Sequence, residues 1–134
     1  MNIYCCDCNC AVVAHLITGA EAYPHRADLK HLPFWQCKSC GNFVGCHHKT
    51  KSRTRPLGCI PTNEIKKRRQ EIHKTLDPIW ESGVISRCDL YAVISNKIGR
   101  KYHTADIRSV EEADSVMAIL HSIINQATGS QNEI

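Results

Sequence analysis

Two Cys-x-x-Cys steps, Cys5/Cys8 and Cys37/Cys40, constrain this chain more than any other feature. Structural zinc takes four ligands in a tetrahedron, and each step presents two thiolates from one tight turn, so two steps complete the shell. Gly41, directly after Cys40, gives that turn its backbone freedom, and Asn9 holds the matching place after Cys8, where it tolerates positive φ. Cys6 offers competing pairings with Cys8 or Cys10. The pair Cys5/Cys8 is preferred because it alone is followed by a turn-tolerant residue at the spacing of Cys37/Cys40. Nine cysteines in 134 residues also suit a disulfide framework. Their odd number, their close pairing and the absence of a secretory pattern in Met1-Asn2-Ile3-Tyr4 onward favour free thiols on metal, hence a reducing, cytoplasmic setting. Nowhere do 18 apolar residues run together, so no membrane span is expected.

Gly45-Cys46-His47-His48 follows the second step and holds further ligand-type side chains. No additional C-x-x-C or H-x-x-H pair fixes another tetrahedron. Cys46 and His47 are therefore expected to pack beside the ribbon or to donate hydrogen bonds to the thiolates, a second metal being the alternative. The roles of Cys6, Cys10, His48 and Cys59, and the choice between one zinc and two, stay open at this level.

Charge divides the chain into three. Residues 1–48 balance Arg26, Lys30 and Lys38 against Asp7, Glu21 and Asp28. Residues 49–74 carry Lys49, Lys51, Arg53, Arg55, Lys66, Lys67, Arg68, Arg69 and Lys74 against Glu64 and Glu71, a net +7, and residues 75–134 are net −3. The overall charge of +4 thus conceals a concentrated basic band.

The first stretch reads as short strands carrying the metal turns, with the apolar runs Ala11–Ala14 and Leu16-Ile17 ended by Thr18-Gly19. Pro56, Gly58 and Pro61 make 49–61 a basic loop or linker. Ile65, Ile72, Leu76 and Ile79 recur at helical spacing and predict a helix over about 64–80. Arg69 falls beside that stripe and is expected to be mainly structural. Ser86-Arg87-Cys88-Asp89 and Ser109-Val110-Glu111-Glu112 have capping-box spacing and open two further helices, the first stopped by Gly99. Tyr102 to Asp106 reads as a connecting turn, with ligand contact as its alternative. The expected fold is α+β: a zinc-ribbon-like module (1–48), the basic loop (49–61), a module of about three helices (62–126) and a frayed tail (127–134).

Zinc in a small domain supplies folding energy, so function is sought beside it. Lys49, Lys51, Arg53 and Arg55 alternate with hydroxyl residues, and Lys66 and Lys67 follow on the first helix, as expected of groups that meet phosphate oxygens. DNA or RNA is the first expected partner and an acidic protein the second. A metal-dependent nuclease is weaker, because no acidic cluster or downstream histidine pattern completes a site after His47-His48. The expected mode is binding rather than catalysis, with the oligomeric state undetermined.

Cys5-x-x-Cys8, Tyr23-Pro24-His25-Arg26, Trp35-Gln36-Cys37-Lys38-Ser39-Cys40-Gly41, Val44-Gly45-Cys46-His47, Arg55-Pro56-Leu57-Gly58 and Leu76-Asp77-Pro78-Ile79-Trp80 together form a pattern. Over about residues 4–125 it resembles a family of small zinc-finger-containing proteins of unknown function, common in bacteria and their phages. The resemblance implies zinc on Cys5, Cys8, Cys37 and Cys40 and makes Cys46-His47 a shared feature. Asn9, where a glycine is usual, and the extra Cys6 and Cys10 depart from it. A phage origin would suit either a nucleic-acid accessory protein or an inhibitor or adaptor of a host complex, including a defence complex. It implies no reaction.

Overall fold

The computed structural model describes the backbone of residues 1–132 and the side chains of residues 1–126. The chain forms two compact units, one ending at Glu64 and the other starting at Ile65.

The first unit holds five short strands, β1 (Asn2–Cys5), β2 (Cys10–Val13), β3 (His15–Thr18), β4 (Pro33–Gln36) and β5 (Phe43–Gly45), with a one-turn helix α1 (Gly19–Ala22) after β3. β1 and β2 form an antiparallel hairpin closed at Cys5↔Cys10, and β3, β4 and β5 form a second antiparallel sheet in that order. The apolar run over 11–17 is thus cut at buried Ala14, and its halves pair in different sheets. Each Cys-x-x-Cys step occupies a hairpin turn, the first between β1 and β2 and the second between β4 and β5.

The core of this unit joins Ile3, Cys5, Ala14, Cys37, Val44 and Ile60. Ile60 is completely buried. Its N–H donates to the Tyr4 carbonyl at 2.8 Å, and its own carbonyl accepts from Cys6 N–H at 2.9 Å, a short parallel pairing beside β1. Residues 49–61, read from their prolines and glycine as a loop or linker, therefore belong with the ribbon as far as Glu64, because Cys59 and Ile60 bury apolar surface in it. Tyr23, Phe34 and Phe43 pack edge-to-face with centroids 5.2 to 5.6 Å apart. These rings fill the ribbon, with Phe34 buried and the other two half-buried.

Gly19 sits where the chain doubles back. Its N–H donates to the Leu32 carbonyl at 2.9 Å, and a Cβ there would lie 1.8 Å from the Leu29 carbonyl oxygen. Gly19→Ala must displace backbone and is expected to cost about 2–3 kcal/mol. Denaturant unfolding followed by Trp35 emission in a Trp80→Phe background checks this. An unchanged midpoint would mean the close approach relaxes freely.

The second unit holds α2 (Asn63–Glu81, its first two residues falling before the division), α3 (Arg87–Ile98) and α4 (Val110–Asn132). These are the three helices expected after the ribbon; among the described residues the one further α-helix is the single turn of α1 within the first unit, too short to leave a period in the sequence. Both capping serines act as their spacing predicts: Ser86 Oγ accepts from Asp89 N–H at 3.0 Å and Ser109 Oγ from Glu112 N–H at 3.1 Å. Gly99 closes α3 in the left-handed conformation at φ 77°. Ile72, Leu76, Leu90, Ile94, Val116 and Leu120 are fully buried, as are Tyr102 and Ile107 from the connection between α3 and α4. Arg69 lies in the buried stripe of α2 and donates through Nη2 to the Ile107 carbonyl at 2.6 Å. The tail expected at 127–134 lies outside the described side chains, and α4 continues to Asn132.

Candidate metal centre

Hairpin geometry brings the two Cys-x-x-Cys steps together. The Sγ atoms of Cys5, Cys8, Cys37 and Cys40 all lie within 4.8 Å of one another, with Cys5 and Cys37 buried and Cys8 and Cys40 half-buried. Cys5 Sγ is 3.5 Å from Cys40 Sγ and Cys8 Sγ is 3.7 Å from Cys37 Sγ. A tetrahedron of thiolates on zinc, with Zn–S bonds of about 2.3 Å, has edges of about 3.8 Å, so the four sulfurs stand close to the spacing the ion demands. Asn9 at φ 56° and Gly41 at φ 81° adopt the left-handed conformation after each step, as the sequence predicts. In the second turn, Cys37 N–H donates to the Asn42 carbonyl at 2.9 Å and Gly41 N–H to the Cys37 carbonyl at 2.8 Å.

The thiols are not equivalent. Cys8 is pushed up to about 12, first by its hydrogen bond to Cys37 and then by that to Cys5, because adjoining sulfurs cannot all carry charge without a cation. Cys40 is raised to about 11, chiefly by burial. For Cys37 burial is also the largest influence, but backbone N–H groups of Cys40 and Ser39, together with neighbouring thiols, outweigh it and hold the group near 7. A dication at the centre removes the conflict among the sulfurs, which is what a four-thiolate zinc site requires.

Among the described residues this is the one group of three or more Cys, His, Asp or Glu side chains placed to hold a metal. Cys46 and His47 are not in it. Cys46 is buried, its backbone bridges to Pro56, and burial pushes its thiol up. The His47 carbonyl accepts from Thr50, while His48 Nδ1 lies 3.3 Å from the Cys46 carbonyl. Cys6 leaves the competition at the first step by turning elsewhere: its Sγ lies 3.7 Å from Cys59 Sγ, and both thiols are buried. No local signal in the sequence connects residues so far apart. Cys10 is exposed.

The basic segment forms a closed loop beside this centre. Cys46 pairs with Pro56, His47 N–H donates to the Arg55 carbonyl at 2.8 Å, and Leu57 N–H donates to the Gly45 carbonyl at 2.9 Å. Trp35 Nε1 donates to the Thr54 carbonyl at 2.6 Å, and Thr50 Oγ1 to the His47 carbonyl at 2.8 Å. Lys49, Lys51, Arg53 and Arg55 are all exposed on it, and Arg53 Nη2 donates to the His31 carbonyl at 3.2 Å. On α2, Lys67 is exposed, Lys66 is half-buried, and Arg68 pairs with Asp114 at 2.6 Å.

The two hairpin turns and their four converging thiols define a zinc-ribbon-like module carried ahead of a helical unit. Over residues 2–125 the chain matches the family DUF3268, a zinc-finger-containing domain, and belongs to that family. No curated protein and no solved structure matches it. Zinc is the cofactor that the family and the four-cysteine cluster both indicate. None of the helices among the described residues is long and apolar enough to cross a membrane.

Proposed function

We propose that this is a zinc-stabilised, non-catalytic nucleic-acid-binding protein, with Cys5, Cys8, Cys37 and Cys40 holding the ion. The carrying observation is how the cations of the basic band are used. Arg68 and Arg69 are committed inside the helical unit, whereas the Lys49, Lys51 and Arg55 side chains of the closed loop, and Lys67 on α2, are exposed and have no carboxylate partner among the described residues. Exposed ammonium and guanidinium groups on a pinned loop are suited to phosphate oxygens, to which they add charge without first breaking an ion pair. Arg53, which donates to the His31 carbonyl, stands exposed on the same loop.

The test is fluorescence anisotropy of zinc-loaded protein with single- and double-stranded DNA and RNA across a salt series. Four to six phosphate contacts give a log–log slope of about −4 to −5, and an affinity loss of roughly two to three orders of magnitude between 50 and 200 mM salt. Lys49→Glu/Lys51→Glu/Arg55→Glu together are expected to abolish binding at physiological salt while leaving the fold intact. Arg69→Ala serves as the opposite control: it removes a buried hydrogen bond and lowers stability by about 2–3 kcal/mol, with little effect on the salt slope of the folded protein. Tight binding that survives the triple reversal would overturn the assignment of the loop. No binding by folded protein would redirect the reading to an acidic protein partner.

A further inference from the structure

A cavity of about 600 Å3 opens in the second unit between α3 and the segment that follows it, within the range of small-ligand sites. Its floor is aromatic. Tyr91 and Tyr102 meet edge-to-face with centroids 5.4 Å apart, and Ala92 leaves one side open. The polar groups beneath are already used: Ser95 Oγ donates to the Tyr91 carbonyl at 2.7 Å and accepts from Tyr102 N–H at 2.9 Å, and the Tyr102 hydroxyl shares a 2.7 Å hydrogen bond with Thr104. Tyr102 is 1% exposed, so the ring surface open to a visitor is that of half-buried Tyr91.

Two cationic residues stand in a lining that is otherwise almost wholly apolar. Arg87, Lys101 and His103 line the cavity, and no Asp or Glu does. The Arg87 guanidinium lies 5.3 Å from the Tyr91 ring centre and 5.8 Å from that of Trp80, so it rests beside two aromatic rings. A guanidinium supported on rings keeps its N–H edge available for a bidentate anion, and phosphate fits that fork. Neither Arg87 nor Lys101 makes an ion pair or side-chain hydrogen bond among the described residues. An aromatic floor beside two unneutralised cations calls for a ligand with a flat ring at one end and a strong anion at the other.

We propose that this groove binds one nucleotide unit, with its base stacked against Tyr91 and its phosphate on Arg87 and Lys101. The strand as source of that nucleotide rests on the nucleic-acid reading above; a free mononucleotide offers the same chemistry. Because the stacking surface is the Tyr91 ring and the polar groups beneath it are paired internally, the site tolerates different bases. Paired bases in a duplex keep their faces covered, so an unpaired strand is favoured.

The experiment uses full-length, zinc-loaded protein with three probes: single-stranded oligo-dT, the matching duplex, and AMP. Oligonucleotides carrying 5-iodouracil are photocrosslinked and the adduct is mapped by mass spectrometry. The expected result is crosslinking at Tyr91, and at least a fivefold loss of single-strand affinity in Arg87→Ala or Tyr91→Ala. Ala92→Glu, an exposed change that places a carboxylate beside the ring surface, is expected to remove the Tyr91 crosslink and serves where Tyr91→Ala fails to fold. Strand binding with the full salt slope, but unaffected by Arg87→Ala and Ala92→Glu and without a Tyr91 crosslink, would overturn the groove and leave the basic loop standing. AMP binding that Arg87→Ala abolishes, without strand binding, would uphold the groove for a free nucleotide and overturn the nucleic-acid reading. Binding of none of the probes overturns both.

Discussion

Removing zinc from the folded protein with a chelator is expected to unfold residues 1–64 and to leave the helical unit formed. The reason lies in the core cluster around the metal turns: Cys5 and Cys37 are two of its six buried residues, and Cys8 and Cys40 pack against it. Without the ion these thiols are weak substitutes for aliphatic side chains, and five strands of three or four residues each supply little cohesion of their own. Structural zinc contributes about 10–16 kcal/mol in small finger peptides, comparable with or larger than the whole stability of an ordinary domain. The second unit buries Ile72, Leu76, Leu90, Ile94, Val116 and Leu120 and, among the described residues, holds no cluster placed to bind a metal. Hydrogen exchange read by mass spectrometry provides the check. Protection over 1–64 should vanish on chelation and return with zinc, while α2, α3 and α4 stay protected. Cys37→Ser should behave like the chelated protein at any zinc concentration that leaves the parent loaded. A first unit that keeps slow exchange without metal would show that the thiols are simply core.

Acid is expected to have the second largest effect, through the same four sulfurs. Zinc takes thiolates, so each thiol protonated in the metal-free chain must release its proton on loading. Cys8 near 12, raised first by its bond to Cys37, and Cys40 near 11, raised first by burial, are both protonated at neutral pH. Counting those two thiols alone, affinity rises at least about a hundredfold per unit of pH between 7 and about 8.5, whether the metal-free ribbon stays folded or opens to ordinary thiols. Cys37 titrates near 7, with burial opposed by backbone N–H groups, so below that point a third proton is displaced. These three then give about a thousandfold loss of affinity per unit of falling pH. Competition with a chromophoric chelator between pH 5.5 and 8.5 measures the slope, and calorimetry in buffers of different ionisation enthalpy counts the protons. A flat profile across that range would mean the thiols are already ionised before zinc arrives.

The sequence displays features whose cause is local. A Cys-x-x-Cys turn needs a residue able to take positive φ directly after it, and Asn9 and Gly41 announce both turns. Ser86, Ser109 and Gly99 mark helix ends because a cap is settled within four residues. What remains hidden is long-range and one residue wide. Ile60 enters the ribbon core through a pairing with β1, and Trp35 holds the carbonyl of Thr54, neither of which leaves a period in the chain. Cys6 reads as a rival ligand until Cys59 is placed 3.7 Å from it. Tyr102 and Ile107 are fully buried although their segment reads as a polar connection, because anchors in irregular chain have no repeat to reveal them.

The closure of the basic loop has a thermodynamic consequence. A mobile lysine-rich segment must surrender backbone freedom when it settles on a partner, at roughly 1–2 kcal/mol per residue fixed. Here the stretch between Cys46 and Leu57 is tied at both ends and fastened at Thr54 by an indole before any partner arrives. Most of that ordering is completed during folding, so association loses mainly side-chain entropy. Zinc, by holding β5 and its loop in place, would thereby set the entropy of any contact the loop makes with the proposed partner.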